Sequence, residues 1–397
     1  MQFDYAPASI AFPSFDPDDR DSLLGMFRVL GPEGDVVASE ELVLPADEDA
    51  IAIWRTMVRV RVIDERMLSL QRQGRIGFYG AATGQEAGVV GAAHALEARD
   101  WIHPALREGG MALHRGYPLR TYLSHCFGNA EDTSTRGRQM PCHYGSRAHN
   151  YITLSSVMTT QMPQAVGTAY AMSLRHPAPD RPLCFAAIGD GATSEGDFHV
   201  ALNFAGVMRP GGCGLPLIMF CQNNQWAIST PFERQCAAPT LAIKAMGYGL
   251  VGARVDGNDA LAVYLLVQEA ARRARRGQAP LFIEAMTYRV GAHTTSDDPS
   301  RYRDESVTEA WKKFDPIERL ERYLVHRGAL SEPDLAKWRQ HCDTEVRTLL
   351  AEVEAVPPPA LDSVFTDVYA SQPDHLVRQQ QEAIGHAEAL ASERKAP

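Results

Sequence analysis

The chain has 397 residues, 45% of them hydrophobic and 22% charged, which is typical of a globular protein. Its formal net charge of -10 argues against nucleic acid or an anionic membrane as a partner, because neither tolerates a globally negative surface without a strong basic stripe. No apolar run approaches the ~18 residues that span a bilayer. The N-terminus lacks the pattern of a signal peptide, and the seven cysteines show no CxxC spacing, so we expect a cytoplasmic protein of bacterial type with reduced thiols.

Three regions follow one another along the chain. Residues 1–45 are rich in Pro and Asp, which predicts an extended arm with a short strand near 26–30, although a disordered tail fits the same pattern. Residues 46–305 form the predicted α/β domain, which starts with a helix over about 47–73. Residues 306–397 are predicted to be helical and charged, with a break at three consecutive prolines and a final surface helix.

Four apolar runs in the middle region alternate with helical segments, at 183–188, 215–221, 250–255 and 281–290. This alternation predicts a doubly wound parallel sheet. Ser194 is the predicted N-cap of the helix after the first run, and Asp259 is the predicted N-cap of a helix that stops at Gly277. Polar groups follow three of the runs, so the sequence predicts a site at the carboxyl edge of the sheet.

Two of these polar groups contain ligands that Mg²⁺ prefers. Asp190 lies in a Gly-Asp-Gly turn before a helix, and Asn224 follows the next run. A carboxylate, an amide oxygen and the carbonyl of Trp226 suit a hard cation, while glycines at a helix start suit a phosphate. Each segment alone is more typical of a tight turn. At the ends of successive strands they favour a metal–diphosphate site.

The same strings carry a family resemblance. LCFAAIGDGATSEGDF and CQNNQWAIST resemble the thiamine-diphosphate motif of 2-oxoacid dehydrogenase α subunits, and GRQMPCHYG and FIEAMTYRVGAHTTSDD agree with it. The resemblance runs from about residue 27 to 369. QRQGRIGFYG and FRVLGPEGDVV favour the branched-chain type over the pyruvate type.

The resemblance implies a role for each matching residue. Asp190, Asn224 and the backbone oxygen of Trp226 would bind Mg²⁺. His293 would lie beside the thiazolium and act on substrate or on a lipoyl group. The implied contacts with the diphosphate are Arg107, Gly191, Ala192 and Gln222. Ser156 and Met158 would contact the aminopyrimidine, and Phe78 would contact the substrate. A potassium ion would be bound by Ser155, Val157, Thr160 and Gln161.

Three residues depart from the family pattern. Leu106 stands where the family has a tyrosine, Gln222 where it often has an arginine, and Trp226 where it usually has a tyrosine. None of these changes removes a metal ligand. The loss of one hydroxyl and one cation makes diphosphate binding depend more heavily on Arg107.

The implied activity is oxidative decarboxylation of a branched-chain 2-oxoacid, followed by reductive acylation of the lipoyl group of a partner transacylase. A separate β subunit would complete the site in a heterotetramer of two α and two β chains. Three alternatives stay open: a pyruvate or acetoin dehydrogenase α subunit, a non-catalytic scaffold of the same fold, and a dinucleotide-binding oxidoreductase. The last lacks the GxGxxG spacing that it needs. For His293 the alternative interpretation is a surface residue, and for Arg289 with Asp297 it is an ion pair that orders the loop.

Overall fold

A five-stranded parallel sheet forms the centre of the computed structural model, which describes residues 25–393. The strands of this sheet lie in the order β1-β2-β3-β7-β6, and a two-stranded antiparallel hairpin, β4-β5, is separate from it. Their bounds are β1 Trp101–His103, β2 Cys184–Gly189, β3 Leu217–Asn223, β4 Trp226–Ala227, β5 Thr230–Pro231, β6 Val251–Asp256 and β7 Leu281–Met286. The predicted α/β fold with a parallel sheet is therefore confirmed.

Helices flank the sheet and cover the C-terminal part of the chain. Their bounds are α1 Asp47–Arg72, α2 Glu86–His94, α3 Gly109–His114, α4 Leu119–Phe127, α5 Gln161–Arg175, α6 Gly196–Val207, α7 Ala260–Arg275, α8 Glu305–Lys312, α9 Pro316–His326, α10 Glu332–Glu354, α11 Ser363–Thr366 and α12 Asp374–Glu393. None of the helices in the described part of the chain has the length and hydropathy of a transmembrane span.

Both faces of the sheet are buried, which explains why its strands are continuous apolar runs. Along β3, Ile218 and Phe220 belong to a core on the side of α1, α2 and α7, while Met219 and Cys221 belong to a second core with α5 and α6. Side chains alternate between the faces of a strand, so one run fills both cores. The strands whose carboxyl ends carry the polar groups are therefore packed on both faces.

Several local predictions differ from the structure. The strand near 26–30 is reduced to isolated bridges, from Phe27 to Val255 and from Leu30 to Val36, and residues 1–24 lie outside the described part. Ser194 does not cap α6: the chain first makes a 3-10 turn, Gly191–Ser194, and Glu195 takes the N-cap position without a side-chain hydrogen bond. The Asp259 cap is confirmed, because its carboxylate accepts from the backbone N–H of Ala262 at 3.1 Å.

The C-terminal helices pack on the N-terminal part of the chain. In α9, the buried Arg319 donates to the carbonyl of Gly31 at 3.0 Å and to the Asp256 carboxylate at 3.0 Å. Glu321 accepts from the Trp54 indole at 2.8 Å. The division at residues 45 and 305 stays a prediction. The expected final surface helix is present as α12.

Candidate active site

Asp190 and Asn224 follow the carboxyl ends of two neighbouring strands. β2 and β3 pair in parallel with Gly189 opposite Gln222, so the residues after each strand emerge at the same edge. Both side chains are buried, with 2% of Asp190 and 7% of Asn224 exposed. The structure therefore brings the two predicted metal ligands to one edge of the sheet, as expected for a doubly wound fold.

The Asp190 carboxylate is buried just after the end of β2. Burial raises its pKa to about 6, and its polar contacts include a donated hydrogen bond from the Gln235 amide at 3.2 Å. Within residues 25–393 it has no ion-pair partner. Since a buried carboxylate is costly unless it is paired or ligates a metal, this position suits a bound cation.

Both the oxygen and the nitrogen of the Asn224 amide are hydrogen-bonded within the protein. Its oxygen accepts from the backbone N–H of Trp226 at 3.2 Å, and its nitrogen donates to the Gln85 side-chain oxygen at 2.9 Å. Within the described residues there is no group of three or more His, Cys, Asp or Glu that could hold a metal. A cation here would rely on one carboxylate plus neutral oxygens and phosphate, which is the way in which proteins commonly bind Mg²⁺.

The β4-β5 hairpin lies directly over the turn that contains Asp190. A Cβ atom placed on Gly191 would lie 2.3 Å from the Cβ of Ala227. Only glycine allows this close approach. The Trp226 ring also packs against Tyr302, with 5.4 Å between ring centroids, so the hairpin connects the turn after β2 with the loop after β7.

His293 lies between two arginines. Arg107 Nη2 and Arg289 Nη1 each lie 3.4 Å from His293 Nδ1, and Arg107 Nη2 also donates to the His293 carbonyl at 2.7 Å. Guanidinium groups only donate, so Nδ1 accepts and the proton of the neutral ring is on Nε2. Burial and the two guanidinium charges lower the His293 pKa to about 4. The imidazole is therefore neutral at physiological pH.

The two arginines form a buried cationic pair. Arg107 is 7% exposed and Arg289 is 1% exposed, and burial together with the charge of Arg289 lowers the Arg107 pKa to about 10. Their acceptors among the described residues are carbonyl oxygens, His293 and the Tyr302 hydroxyl, with no carboxylate among them. Arg289 lies close enough to Asp190 for their charges to interact. A buried cationic pair with no carboxylate hydrogen-bonded to it suits a diphosphate that carries a divalent metal.

Arg289 and Asp297 order the loop after β7, but they are linked through the hydroxyl of Tyr302. Arg289 donates to the Tyr302 hydroxyl at 2.8 Å, and that hydroxyl donates to Asp297. Asp297 also accepts from the backbone N–H of His293 at 2.7 Å. The loop-ordering ion pair that the sequence offered as an alternative is thus a link through Tyr302, and Asp297 holds the backbone of His293.

Ser156 and Phe78 both contact His143, a residue that sequence reasoning did not identify. His143 is buried; its Nε2 is hydrogen-bonded to Ser156 Oγ, and its ring contacts Phe78 edge-on, with 6.5 Å between centroids. His143 Nδ1 lies 3.0 Å from the Pro141 carbonyl and so donates to it. Nε2 is then the acceptor and Ser156 the donor. Met158, two residues after Ser156, is 39% exposed.

The predicted potassium loop is a single turn before α5. Ser155 Oγ accepts from the backbone N–H of Val157 at 3.2 Å, and Thr160 Oγ1 donates to the Val157 carbonyl at 2.9 Å. Gln161 begins α5 and donates to the carbonyl of Ala187 in β2 at 2.8 Å. These four predicted residues are therefore brought together, and the turn is tied to the strand that precedes Asp190.

Gln222 is committed to a neighbour within the protein. Its amide nitrogen donates to Glu108 at 2.5 Å, while its oxygen is buried with no partner among the described residues. The other oxygen of Glu108 accepts from the backbone N–H groups of Ala105 and Leu106 at 2.8 and 2.9 Å. Gln222 thus supports the turn that carries Arg107.

Ala192, a predicted diphosphate contact, is buried in the 3-10 turn beside Asp190.

Four residues at the site were missed by sequence reasoning: Gln85, Glu108, His143 and Gln235. Each contacts a predicted residue, and three of these contacts, those of Gln85, Glu108 and Gln235, join positions at least 45 residues apart. No local spacing carries such information. His143 was within a quoted family string, but nothing in that string indicated that it contacts Ser156.

Comparison with known proteins agrees with this geometry. The family model described as dehydrogenase E1 component matches residues 54–362. The chain belongs to the dehydrogenase E1 component family. Its similarity to curated relatives extends over nearly the whole length of the chain, and these relatives are named as α subunits.

Three of these relatives of the E1 chain come from distant organisms. The mitochondrial 2-oxoisovalerate dehydrogenase subunit alpha of Caenorhabditis elegans is 40% identical over 93% of this chain and 84% of its own length. The human protein of the same name is 40% identical over 91% and 79%, and the Dictyostelium discoideum protein is 41% identical over 92% and 82%. All three are mitochondrial, which contradicts the prediction of a cytoplasmic, bacterial-type protein. The missing signal-peptide pattern and the cysteine spacing, on which that prediction was based, do not distinguish the two compartments.

Proposed function

We propose that this E1 chain is the α subunit of a 2-oxoisovalerate dehydrogenase, which decarboxylates branched-chain 2-oxoacids with thiamine diphosphate and Mg²⁺. The observation that carries the proposal is the buried Asp190 carboxylate at the same sheet edge as the buried pair Arg107 and Arg289, none of which makes an ion pair among the described residues. A metal–diphosphate would supply the cation for the carboxylate and the anion for the guanidinium groups. The names of the relatives support the branched-chain substrate, with a pyruvate or acetoin dehydrogenase as the alternative.

Each side chain has a proposed task in holding the cofactor. Asp190, Asn224 and the carbonyl of Trp226 hold Mg²⁺, and Arg107 with the backbone of Gly191 and Ala192 binds the diphosphate. Bound thiamine diphosphate supplies the carbanion chemistry that decarboxylation needs. The other proposed contacts are Ser156 and Met158 at the aminopyrimidine, Phe78 at the substrate, and Ser155, Val157, Thr160 and Gln161 at a potassium ion.

His293 is the proposed catalytic residue of this chain. Arg107 and Arg289 both donate towards Nδ1, so the neutral ring presents Nε2–H as a donor. An N–H donor beside the reacting carbonyl stabilises the oxygen on which negative charge develops. A low pKa keeps this ring from becoming a permanent cation next to the two guanidinium groups.

The proposed assembly contains two α and two β chains and passes its acyl group to a lipoylated transacylase. An E1 α subunit implies a β subunit in general, and the names of the relatives as α subunits support this. In the proposed assembly the β subunit supplies the cover over the aminopyrimidine, and we propose that this chain holds the diphosphate and metal.

The test is a decarboxylation assay of the complex purified through this chain, with Mg²⁺, thiamine diphosphate and an artificial electron acceptor. We expect higher kcat/KM for 3-methyl-2-oxobutanoate than for pyruvate. Preference for pyruvate would move the chain to a pyruvate-type enzyme with the same cofactor site. Absence of turnover with every 2-oxoacid, despite intact complex, would favour the non-catalytic scaffold.

A further inference from the structure

Gln85 lies against the proposed metal ligand Asn224, although the two residues are 139 positions apart. Its side chain is fully buried, with 0% exposure. The turn that carries it is fixed: Gln85 N–H donates to the Ala82 carbonyl at 2.8 Å, and Thr287 donates to the Gly84 carbonyl at 3.1 Å. The Gln85 amide is therefore presented to Asn224 from a rigid connection between α1 and α2.

The hydrogen bonds determine which way both amides face. The backbone N–H of Trp226 is a donor 3.2 Å from one end of the Asn224 amide, so that end must be the oxygen. The nitrogen of Asn224 then faces Gln85, which must present its own oxygen, at 2.9 Å. A rotated Gln85 amide would place two N–H groups against each other. Only one arrangement of the pair satisfies all three groups.

We propose that Gln85 is a positioning residue that holds the Asn224 amide with its oxygen towards the bound Mg²⁺. This inference depends on the proposed function, because it assigns Gln85 a task at that metal site. Without the Gln85 oxygen, the Asn224 amide is held only by the Trp226 N–H at 3.2 Å, and it can turn its NH₂ group towards the cation more readily. An amide nitrogen is not a ligand for a hard cation, so the rotated form does not bind metal.

The second N–H of Gln85 supports the assignment. Gln85 Nε2 is buried and has no acceptor among the described residues. A buried donor without an acceptor is costly, and such groups are normally satisfied by protein, water or ligand. A bound diphosphate or its metal-bound water offers acceptor oxygens, so Gln85 would contribute one hydrogen bond in addition to orienting Asn224.

The test measures Mg²⁺-dependent binding of thiamine diphosphate by calorimetry, using the full α–β complex. Gln85→Met keeps the size and unbranched shape of the side chain but removes the amide, and we expect binding to weaken by about tenfold, the effect of one lost hydrogen bond with an unsatisfied partner. Thermal unfolding of each complex checks that the variants are folded.

Measuring Gln85→Met in a second variant background distinguishes a positioning role of Gln85 from a packing role. A carboxylate at position 224 presents oxygen in either rotation, so Gln85→Met should cost clearly less in an Asn224→Asp background than in the wild type, with only the hydrogen bond of Gln85 Nε2 lost. Equal losses in both backgrounds, or normal binding by Gln85→Met, would overturn the role of Gln85 and leave the metal site intact. If the wild-type complex itself fails to bind thiamine diphosphate with Mg²⁺, the proposed function is wrong, and the inference is wrong with it.

Discussion

Asp190 makes cofactor binding depend on pH at the scale of one side chain. Its pKa is raised to about 6 by burial, and a metal binds the carboxylate but not the carboxylic acid. Above about pH 7 the group is ionised and affinity for Mg²⁺ should be constant. Below the raised pKa, protons compete, and affinity should fall by about tenfold per pH unit.

Calorimetric titration of the complex with Mg²⁺ and thiamine diphosphate between about pH 8 and pH 5 measures this effect. The Asp190→Asn variant keeps an oxygen but cannot titrate, so its weaker binding should lack the step near pH 6. Constant affinity of the wild-type complex across the range would show that the metal does not bind Asp190.

His293→Ala should separate binding from catalysis. Arg107 holds the backbone carbonyl of His293 as well as its ring, so the loop keeps one anchor when the ring is lost. We expect cofactor affinity within about twofold of wild type and a decrease in kcat on the order of 10²-fold to 10³-fold, typical of a lost donor to a developing oxyanion.

Steady-state kinetics with 3-methyl-2-oxobutanoate, alongside calorimetry, gives both quantities for His293→Ala. Ser296→Ala, at an exposed position of the same loop, is the matched control and should behave like the wild type. Near-normal kcat in His293→Ala would make the histidine a structural residue of the loop.

At the scale of elements, the close approach of the β4-β5 hairpin makes Gly191 sensitive. In Gly191→Ala the new Cβ would meet Ala227 at 2.3 Å, so the hairpin or the turn must move. Overpacking of this kind costs about 1–3 kcal/mol, and displacement of the turn should weaken cofactor binding at least about tenfold.

Gly196→Ala is the control for this change. It alters a glycine only a few residues away, at the first position of α6, where nothing lies within 4 Å of the added Cβ. Chemical denaturation should show unchanged or slightly higher stability, since alanine favours a helix over glycine by up to about 1 kcal/mol. Similar losses in both variants would argue that the tight contact with Ala227 is not what matters.

The elements that the sequence could predict are those with long, regular signals. The apolar runs of β2, β3, β6 and β7 are each six or seven residues long, and burial on both faces leaves few polar interruptions. Strand β1 has three residues and no such run, so it was missed. Ser194 has the composition of a cap, but the backbone turns once more before α6 begins, and only tertiary structure decides that.

The residues of the candidate site likewise divide into those that the sequence could predict and those that it could not. Strand-end residues such as Asp190 and Asn224 could be placed because topology brings parallel strand ends to one edge. The partners that orient them could not, since a hydrogen bond such as that between Gln85 and Asn224 depends on a register between distant segments. For the same reason, the sequence could indicate Gln222 as a cofactor contact but not its bond to Glu108.

At the scale of the whole molecule, the isolated chain should be inactive. The proposed metal and diphosphate groups all belong to one sheet edge, and no second sheet of this kind is present among residues 25–393. We expect no measurable turnover of 3-methyl-2-oxobutanoate by the purified chain, and recovery of activity when its β subunit is added. Full activity of the chain alone, verified as free of β subunit by mass spectrometry, would contradict the proposed assembly.

The parallel pairing of β2 with β3 has a consequence for dynamics. Asp190 and Asn224 follow two strands that pair side by side, so a cation bound by both would cross-link the two strand ends. This cross-link opposes local unfolding of the strand ends, because a ligand that binds only the folded form stabilises that form by mass action. Amide hydrogens just beyond these two strands would then exchange with solvent more slowly in the loaded enzyme, while those of the exposed α12 would not change.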